Sequence, residues 1–457
     1  MKKNNKIIVL LSIIITSMLY AGCESKPQQV RVCIDMEYLG VTHFESAETV
    51  MQSFLDYVIE YADVVDDREL DVALEVIPKS GTERESVMTR LRTEIMAGEG
   101  PDVFIMAGPG GPFYNANTDS FFSIPEQAME SGLFLPLDKY MEKSELTDWD
   151  NMTQVIMDAG RNEYGQQILP ISYTFPVTFY RESDVSHTPS TDITWMDMLE
   201  DETNILTAAA VWTDGNITDQ HFDGMEAWYE SPQLEYILGD LVDYSNGTLL
   251  FTEDELLQRI TDVLELADQY NDGKFADIPT HYQNYMQPEF DIDVWTKGTD
   301  EDYFKDIPQT ENLTMIPLYS DDGGISATIL YYAAINANTR CADDAFYILD
   351  HLFSETQQKS SDIYSMFACM QGLPMQNDLM RSSHPTKQWR MGWYMSTDKF
   401  EKYDTLRNQI TNVHFRSVLD VELQSLYKNC YAAYSGEGSI DTLVHTSYEN
   451  MKRMLAE

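Results

Sequence analysis

The chain of 457 residues carries 76 acidic residues against 30 Lys and Arg residues, so its formal net charge is −46. A field of this sign repels nucleic acids and anionic lipid surfaces, and we expect no nucleic-acid partner. Charged residues make up 23% of the chain and hydrophobic residues 43%, which is typical of a folded globular protein, and no internal repeat indicates a solenoid.

The first residues have the pattern of a secretory signal peptide. Three lysines precede an apolar run of 13 residues, Ile7–Leu19, which small residues close before Cys23. A helix needs about 20 apolar residues to cross a bilayer core, so this run is too short, and no later segment is apolar enough to span. Removal of residues 1–22 deletes three lysines and no acid, so the net charge of −46 becomes −49.

Ala21-Gly22-Cys23 resembles the end of the lipobox of bacterial lipoproteins, although Tyr20 stands where a Leu is usual. Residues 23–29 are polar after the cysteine and resemble the tether of such proteins. We therefore expect a diacylglycerol on Cys23 that holds the protein on the extracytoplasmic face of the cell membrane, because two buried acyl chains suffice for stable anchoring. The alternative is an ordinary cleaved signal peptide in which Cys23 has no role.

The other four cysteines are Cys33, Cys341, Cys369 and Cys430, which are far apart and lack Cys-x-x-Cys spacing. This spacing excludes a compact disulfide or zinc framework. Cys33 lies in an apolar run and Cys430 in a helical pattern, so both are predicted to be buried thiols. The sequence selects no disulfide pairing among the four.

Strands and helices alternate at the start of the mature chain, whose 435 residues predict two or three domain-sized units. The predicted elements are the strand Val30–Met36, the helix Ala47–Val65, the strand Val72–Val76, a helix from the capping box of Thr82 and Glu85 to Gly98, and the strand Val103–Met106. This order predicts parallel strands with right-handed crossovers. Ligands bind at the carboxyl ends of such strands, here residues 37–40 and 107–112.

A second unit is predicted to begin after Pro170. Its elements are the strand Val177–Tyr180, a helix from Trp195, a short strand Leu206–Val211, a helix capped by Thr252 and Glu255, the strand Leu313–Leu318, a β-like run at 327–337, the helix Ala342–Phe353 and helices on both sides of Ser435-Gly436. Residues 277–309 have no pattern that assigns their elements. Trp195 is predicted to be structural, at the start of a packed helix.

Residues 90–103 read Arg-Leu-Arg-Thr-Glu-Ile-Met-Ala-Gly-Glu-Gly-Pro-Asp-Val. This segment resembles the helix, Gly turn, Pro-Asp and strand of extracellular solute-binding proteins of family 1, the carbohydrate-type receptors related to maltose-binding protein. Four further segments resemble that family in the same order, and they are Phe134–Asp138, Leu169–Tyr180, Thr194–Leu199, and Ala333–Asn338 with the helix and Gln357 after it. Together they cover nearly the whole mature chain.

The resemblance implies an α/β protein with the two-lobed periplasmic-binding-protein (Venus flytrap) fold, each lobe a mixed sheet flanked by helices. The N-terminal lobe would comprise residues 30–172 plus 327–372, and the C-terminal lobe residues 173–326 plus 373–457. Crossing segments at Ile171–Pro176, Ile325–Thr328 and Gln371–Pro374 would join the lobes. A small solute, expected to be a mono- or oligosaccharide, would bind in the cleft and be delivered to the membrane permease of an ABC importer.

The ligand contacts themselves do not carry over from the family. The residues after Met106 contain no Trp or Asp of the maltose-binding kind, and Arg181-Glu182 stands where the family commonly has Asn-Lys. Sugar receptors stack aromatic rings on sugar faces and satisfy hydroxyls with polar groups, so position must select the candidates. The candidate ligand-binding residues are Glu37, Tyr38, Gly110, Tyr114, Tyr173, Phe175, Trp212, Gly323, Gly324 and Gln371.

Each candidate has a structural alternative. Trp212 follows the predicted strand Leu206–Val211, and Tyr173 and Phe175 lie in the first crossing, but any of these rings could simply pack. Gly323 and Gly324 precede the return crossing, where glycine permits close backbone approach or hinge torsions, or forms a plain turn.

Other functional classes find little support in the sequence. His-Glu-x-x-His, Gly-x-Ser-x-Gly and P-loop motifs are absent and the eight histidines are scattered, so we predict no catalytic residue, metal or cofactor. We expect a monomer. Two alternatives stay open, which are a surface receptor that presents its ligand to a sensor or adhesin, and a carbohydrate-active enzyme that uses one of the many acid pairs.

Overall fold

The computed structural model describes residues 28–36, 46–109, 119–185, 193–210, 234–275, 277–278, 281–285, 313–360, 372–380, 397–434, 436 and 438–456. The strands are β1 Val30–Asp35, β2 Val72–Val76, β3 Val103–Ala107, β4 Arg161–Asn162, β5 Gly165–Gln166, β6 Ile168–Thr174, β7 Pro176–Arg181, β8 Val242–Asp243, β9 Thr248–Leu249, β10 His281–Tyr285, β11 Leu313–Pro317, β12 Ile325–Ile335, β13 Leu373–Pro374 and β14 Ile410–Phe415.

The helices are α1 Ala47–Val64, α2 Gly81–Met96, α3 Pro125–Glu130, α4 Asp138–Met141, α5 Gln154–Met157, α6 Trp195–Leu199, α7 Ile205–Ala210, α8 Leu234–Ile237, α9 Glu253–Asn271, α10 Ala342–Phe353, α11 Glu355–Gln358, α12 Asn377–Met380, α13 Thr397–Arg407, α14 Val418–Tyr434 and α15 Ile440–Ala456. Short 3₁₀ turns lie at Trp149–Asn151, Asp158–Gly160 and Glu182–Asp184. None of these described helices is both long enough and apolar enough to cross a membrane.

The larger of two main sheets has seven strands in the order β13-β6-β12-β3-β1-β2, with β14 beside β12. β1 runs parallel to β2 and β3, as the sequence predicts. β12 is antiparallel to both β3 and β6, so the sheet is mixed. Helix α1 packs on β2 and α10, and α10 packs on β12.

The smaller sheet has three strands in the order β10-β7-β11, and helices α7 and α13 pack on β11. The chain passes from the larger sheet to the smaller one at Phe175, between the end of β6 and the start of β7. It returns between β11 and β12. The α/β class and the mixed sheets flanked by helices are confirmed, whereas the lobe boundaries stay a prediction.

Two local predictions are wrong. Residues 206–210 of the predicted strand Leu206–Val211 lie in helix α7, because Asp201 accepts from the Leu206 amide and three consecutive alanines favour a helix. The predicted capping box of Thr82 and Glu85 is absent as well. Helix α2 begins two residues earlier than the box predicts, with Ser80 as the N-cap and Gly81 as the first residue, and the φ of +81° at Gly81 leaves Thr82 inside the first helical turn.

Most other elements follow the predictions closely. The helix from Ala342 to Phe353 has the predicted bounds, and Thr252 and Glu255 form the predicted capping box of α9. Cys33 and Cys430 are free, buried thiols as predicted, and Cys341 is a third, while Cys369 lies outside the described residues. Strand β14 was not predicted.

Candidate functional site

The carboxyl ends of β1 and β3 lie side by side, with Asp35 paired to Met106. The segments with Glu37 and Tyr38 leave β1 at this edge, and those with Gly110 and Tyr114 leave β3. All four candidates lie outside the described residues. The structure does describe the contacts of Pro109 and Asp119, the residues on either side of 110–118.

Arg84 contacts Asp119, the first described residue after 118. Its Nη1 donates to Asp35 Oδ1 at 2.6 Å and its Nη2 to Asp35 Oδ2 at 3.0 Å, while Nε donates to Asp119 Oδ1 at 3.1 Å. The amide of Phe121 donates to the same Asp35 carboxylate at 2.9 Å. Burial raises the pKa of Asp35 above its ordinary value, although the hydrogen bonds and charge of Arg84 oppose the shift.

Arg416 contacts Pro109, the last described residue before 110. Its Nε donates to the carbonyl of Pro109 at 2.8 Å, and its backbone N donates to Ile329 O at 3.0 Å. Gly108 lies so close that a Cβ there would be 2.5 Å from Arg416 Cβ, which explains the glycine. The side chain of Arg416 is 1% exposed, and its Nη1 lies 3.8 Å from Glu235 Oε1. The end of β3 is therefore fixed by a buried charge.

Arg416 belongs to a group of five buried charged or titratable side chains, which we call the joint cluster: Glu126, Glu235, His414, Arg416 and Asp420. The cluster lies beside β12, where β14 pairs with the first half of that strand. Its members come from α3, α8, β14, the turn after β14, and α14. It therefore gathers elements from across the chain.

The histidine of the joint cluster is paired. His414 Nε2 lies 2.8 Å from Asp420 Oδ1 and 3.2 Å from Thr328 Oγ1. Burial alone would lower the pKa of His414, but the charge and hydrogen bond of Asp420 raise it above its ordinary value. The pKa of Asp420 shifts in the opposite direction. Burial would raise it, but His414, Arg416 and the amide of Ser417 lower it below its ordinary value.

Among the carboxyl groups of the joint cluster, that of Glu126 has the largest shift in pKa. Its Oε1 accepts from the Phe415 amide at 2.7 Å, and the side chain is 5% exposed. Burial raises the pKa of Glu126 from 4.5 to about 7, with the Phe415 amide and His414 opposing. The pKa of Glu235 is also raised by burial, which the charge of Arg416 opposes. With three acids and two bases, the cluster holds protons near neutral pH.

Tyr173 and Phe175 both lie buried at the first crossing. The Tyr173 hydroxyl hydrogen-bonds the hydroxyl of Tyr403, and the Tyr173 carbonyl lies 2.5 Å from where a Cβ of Gly372 would be. In this structure both rings contact protein, as the packing alternative predicts. A ligand contact for either residue stays a prediction.

Gly323 and Gly324 form the turn between β11 and β12, with φ of +83° and +81°. Thr411 Oγ1 donates to the Gly323 carbonyl at 3.1 Å. A Cβ at Gly324 would lie 2.4 Å from Thr411 Oγ1. Close backbone approach, one of the alternatives left by the sequence, therefore explains Gly324. The neighbour is protein, from the strand β14.

Three other candidates lie outside the described residues: Trp212, Gln371 and the lipidation site Cys23. Trp212 was chosen because a strand was predicted to end just before it. Residues 206–210 of that predicted strand lie in helix α7, so the reason for choosing Trp212 is removed. Trp195 is fully buried as predicted, with the Arg259 guanidinium 4.7 Å from its ring centroid. Within the described part of the chain, no three His, Cys, Asp or Glu side chains are grouped to hold a metal ion.

Sequence reasoning missed the joint cluster entirely. One signal was available, since polar Asn412, His414 and Arg416 alternate with apolar Val413 and Phe415 in strand fashion. A second was Ser417 followed three residues later by Asp420, a capping pattern that the structure contains as the Ser417 amide donating to Asp420 Oδ2 at 2.7 Å.

No protein-family model and no curated protein matches this sequence. Several solved structures are similar to it. The cyclic α-maltosyl-1,6-maltose binding protein from Arthrobacter globiformis is 14% identical, with a TM-score of 0.48 over 94% of this chain and 99% of that one. An ABC transporter solute-binding protein from Thermotoga lettingae bound with α-D-tagatose is 13% identical, with a TM-score of 0.44 over 94% and 100%.

A third similar structure is the extracellular solute-binding protein family 1 from Alicyclobacillus acidocaldarius, 11% identical, with a TM-score of 0.48 over 95% of this chain and 100% of that one. Identities and scores this low transfer no ligand, partner or role. The chain is thus similar, over nearly its whole length, to solved solute-binding proteins that include a member of the family its sequence motifs resemble.

Proposed function

We propose that the protein is the extracytoplasmic solute-binding receptor of an ABC importer, which takes a carbohydrate into a cleft between two lobes and delivers it to a membrane permease. It performs no chemistry on the solute. The observation that supports this most is the way the two sheets are connected. β6 runs directly into β7 through Phe175, and β12 returns to the larger sheet beside β14.

This arrangement suits a receptor that closes over its ligand. Extended connections between two sheets can absorb a change in backbone torsions, which is how hinged binding proteins move. The carboxyl edge of β1 and β3 lies next to these connections, because Gly108 donates to the Leu330 carbonyl of β12 at 2.9 Å. Ligands of α/β sheets bind at such edges.

The proposed ligand contacts are the residues that leave this edge, Glu37 and Tyr38 after β1 and Gly110 and Tyr114 after β3. They offer a carboxylate and two aromatic rings, the groups that satisfy sugar hydroxyls and cover apolar sugar faces. Cys23 is the proposed site of the lipid anchor. Replacing Cys23 with Ser should release the protein from the membrane fraction and abolish labelling by radioactive fatty acid.

A thermal-shift screen of the mature protein tests the proposal. The panel contains maltose, mannobiose, tagatose, amino sugars, polyols and cationic solutes. A ligand present at 100 times its Kd stabilises the folded state by about 2.7 kcal/mol, so a true solute raises the melting temperature clearly. X-ray scattering with a saturating concentration of a solute identified in this screen should show a smaller radius of gyration than scattering without it. Shortened oligosaccharide products would indicate the enzyme alternative, and an unchanged radius with bound ligand would contradict closure.

A further inference from the structure

The contacts of Arg416 reach both sides of the connection between the two sheets. Towards the larger sheet, Nε donates to the Pro109 carbonyl at 2.8 Å, directly after β3. On the other side, Nη1 lies 3.8 Å from Glu235 in α8. Helix α8 packs on β12 and α14, and its Ile237 carbonyl accepts from the amide of Asp321 at 2.7 Å, in the turn between β11 and β12.

Glu235 is itself held from a third direction. Its side chain is 0% exposed, and its Oε1 accepts from Gln424 Nε2 of α14 at 3.1 Å. Asp420 supplies a second negative charge near the guanidinium. A buried guanidinium keeps its charge and must stay near its carboxylates, so a displacement of either side alone separates charges in a medium with little screening.

The length of the Arg416–Glu235 contact matters for motion. At 3.8 Å the two groups attract as charges without a direct hydrogen bond. Coulomb attraction falls slowly with distance, whereas a hydrogen bond is lost within a few tenths of an ångström. Arg416 and Glu235 therefore still attract each other after a small displacement of α8 or of the end of β3. A displacement on one side then exerts a force on the other.

We propose that Arg416 and Glu235 are positioning residues that couple the carboxyl end of β3, where the proposed ligand contacts begin, to α8 and the turn after β11. The proposal rests on the proposed function, since it assigns to that receptor the residues that make the ligand-facing edge move together with the turn between the two sheets. Neither residue touches the ligand.

Amide hydrogen exchange on the ligand-free mature protein tests the coupling without a ligand. The reporters are Gly108, which donates to Leu330, and Leu238, which donates to Leu234 at the end of α8. Glu235→Gln changes one side chain of α8, removes the negative charge that faces Arg416, and keeps an oxygen that can accept from Gln424. We expect exchange at Gly108, on the opposite side, to rise by about fivefold or more, the lower range of measured coupling between sites.

Arg84→Lys is the matched control. Arg84 is buried to nearly the same extent as Arg416, but its partners Asp35, Asp119 and the Pro78 carbonyl all lie on the larger-sheet side. This variant should raise exchange near Phe121 and leave Leu238 unchanged. A rise at Leu238 alone in Glu235→Gln would show that Glu235 acts only within α8, and would overturn the proposal.

Arg416→Lys provides a second variant should Glu235→Gln fail to fold. Lysine keeps the charge but loses the planar fork that reaches Pro109 and Glu235 together, so exchange should rise at both Gly108 and Leu238. A rise at Gly108 alone would also overturn the coupling. The exchange result stands even if wild-type protein binds none of maltose, mannobiose and tagatose, an outcome that would count against the proposed carbohydrate ligand and leave the coupling decided separately.

Discussion

Two buried charge centres lie near the carboxyl edge of β1 and β3, and they are built differently. At the first, Arg84 binds Asp35 through two hydrogen bonds, and the half-exposed Asp119 adds a third. At the second, the joint cluster sets three acids against His414 and Arg416, and the pKa of Glu126 rises to about 7. The first centre fixes a position through the hydrogen bonds of one guanidinium, whereas the second contains a carboxyl group, that of Glu126, which gains or loses a proton near neutral pH.

The largest expected effect comes from breaking the pair of Arg84 and Asp35. Arg84→Met leaves Asp35 buried without its cation, which should cost about 3–5 kcal/mol of unfolding free energy. Denaturant unfolding at pH 7 measures this. Arg90→Met is the control, because Arg90 pairs with Glu75 and Glu94 while 47% exposed, and such pairs contribute under about 1 kcal/mol. Equal losses in the two variants would contradict the importance given to burial.

The second prediction concerns protons at the joint cluster. Native Glu126 keeps its proton up to about pH 7, whereas the unfolded chain loses it near 4.5, so the native state binds more protons between these values. Stability should therefore fall as pH rises through this window, by about 3 kcal/mol from this residue. His414 acts in the same direction at higher pH, because its raised pKa gives stability that is lost as pH rises through it.

The variant Glu126→Gln isolates the contribution of Glu126. Its amide oxygen can still accept from Phe415, and it cannot ionise, so the difference in unfolding free energy between wild type and variant should change with pH between about 4.5 and 7. Unfolding in urea at half-unit pH steps measures this. Glu130→Gln, an exposed position on the same helix, should leave the slope unchanged. A wild-type slope that survives in Glu126→Gln would assign the protons to another group.

The third prediction tests the turn between β11 and β12, where it packs against Thr411 of β14. Gly324→Ala combines a φ of +81° with a contact of 2.4 Å to Thr411, and should cost about 2–4 kcal/mol. Gly273→Ala has a similar φ of +77° and nothing within 4 Å, and should cost about 1–2 kcal/mol. Thermal unfolding of both variants gives the difference. If Gly324→Ala were no worse than Gly273→Ala, the turn would be free to move away from β14.

The two centres also differ in how far the sequence could reveal them. β1, α1, β2 and β3 were predictable because each follows from hydrophobic periodicity within a few turns of chain. The joint cluster was not, since Arg416 meets Pro109 across 307 positions and Glu126 meets Phe415 across 289. Helix α7 was misread for a local reason, as a short apolar run has no period that separates strand from helix.

The smallest expected effect lies at the first crossing and concerns Tyr173. Its ring is fully buried and its hydroxyl bonds that of Tyr403, so Tyr173→Phe should cost about 1 kcal/mol of stability, the net contribution of one hydrogen bond. Tyr403→Phe removes the other end of the same bond and should cost a similar amount. Because the hydroxyl faces protein, affinity for any sugar identified in the screen should not change in either variant. Calorimetry decides the matter: an affinity loss of tenfold or more in Tyr173→Phe, with Tyr403→Phe unaffected, would show that Tyr173 turns to the ligand when the protein closes.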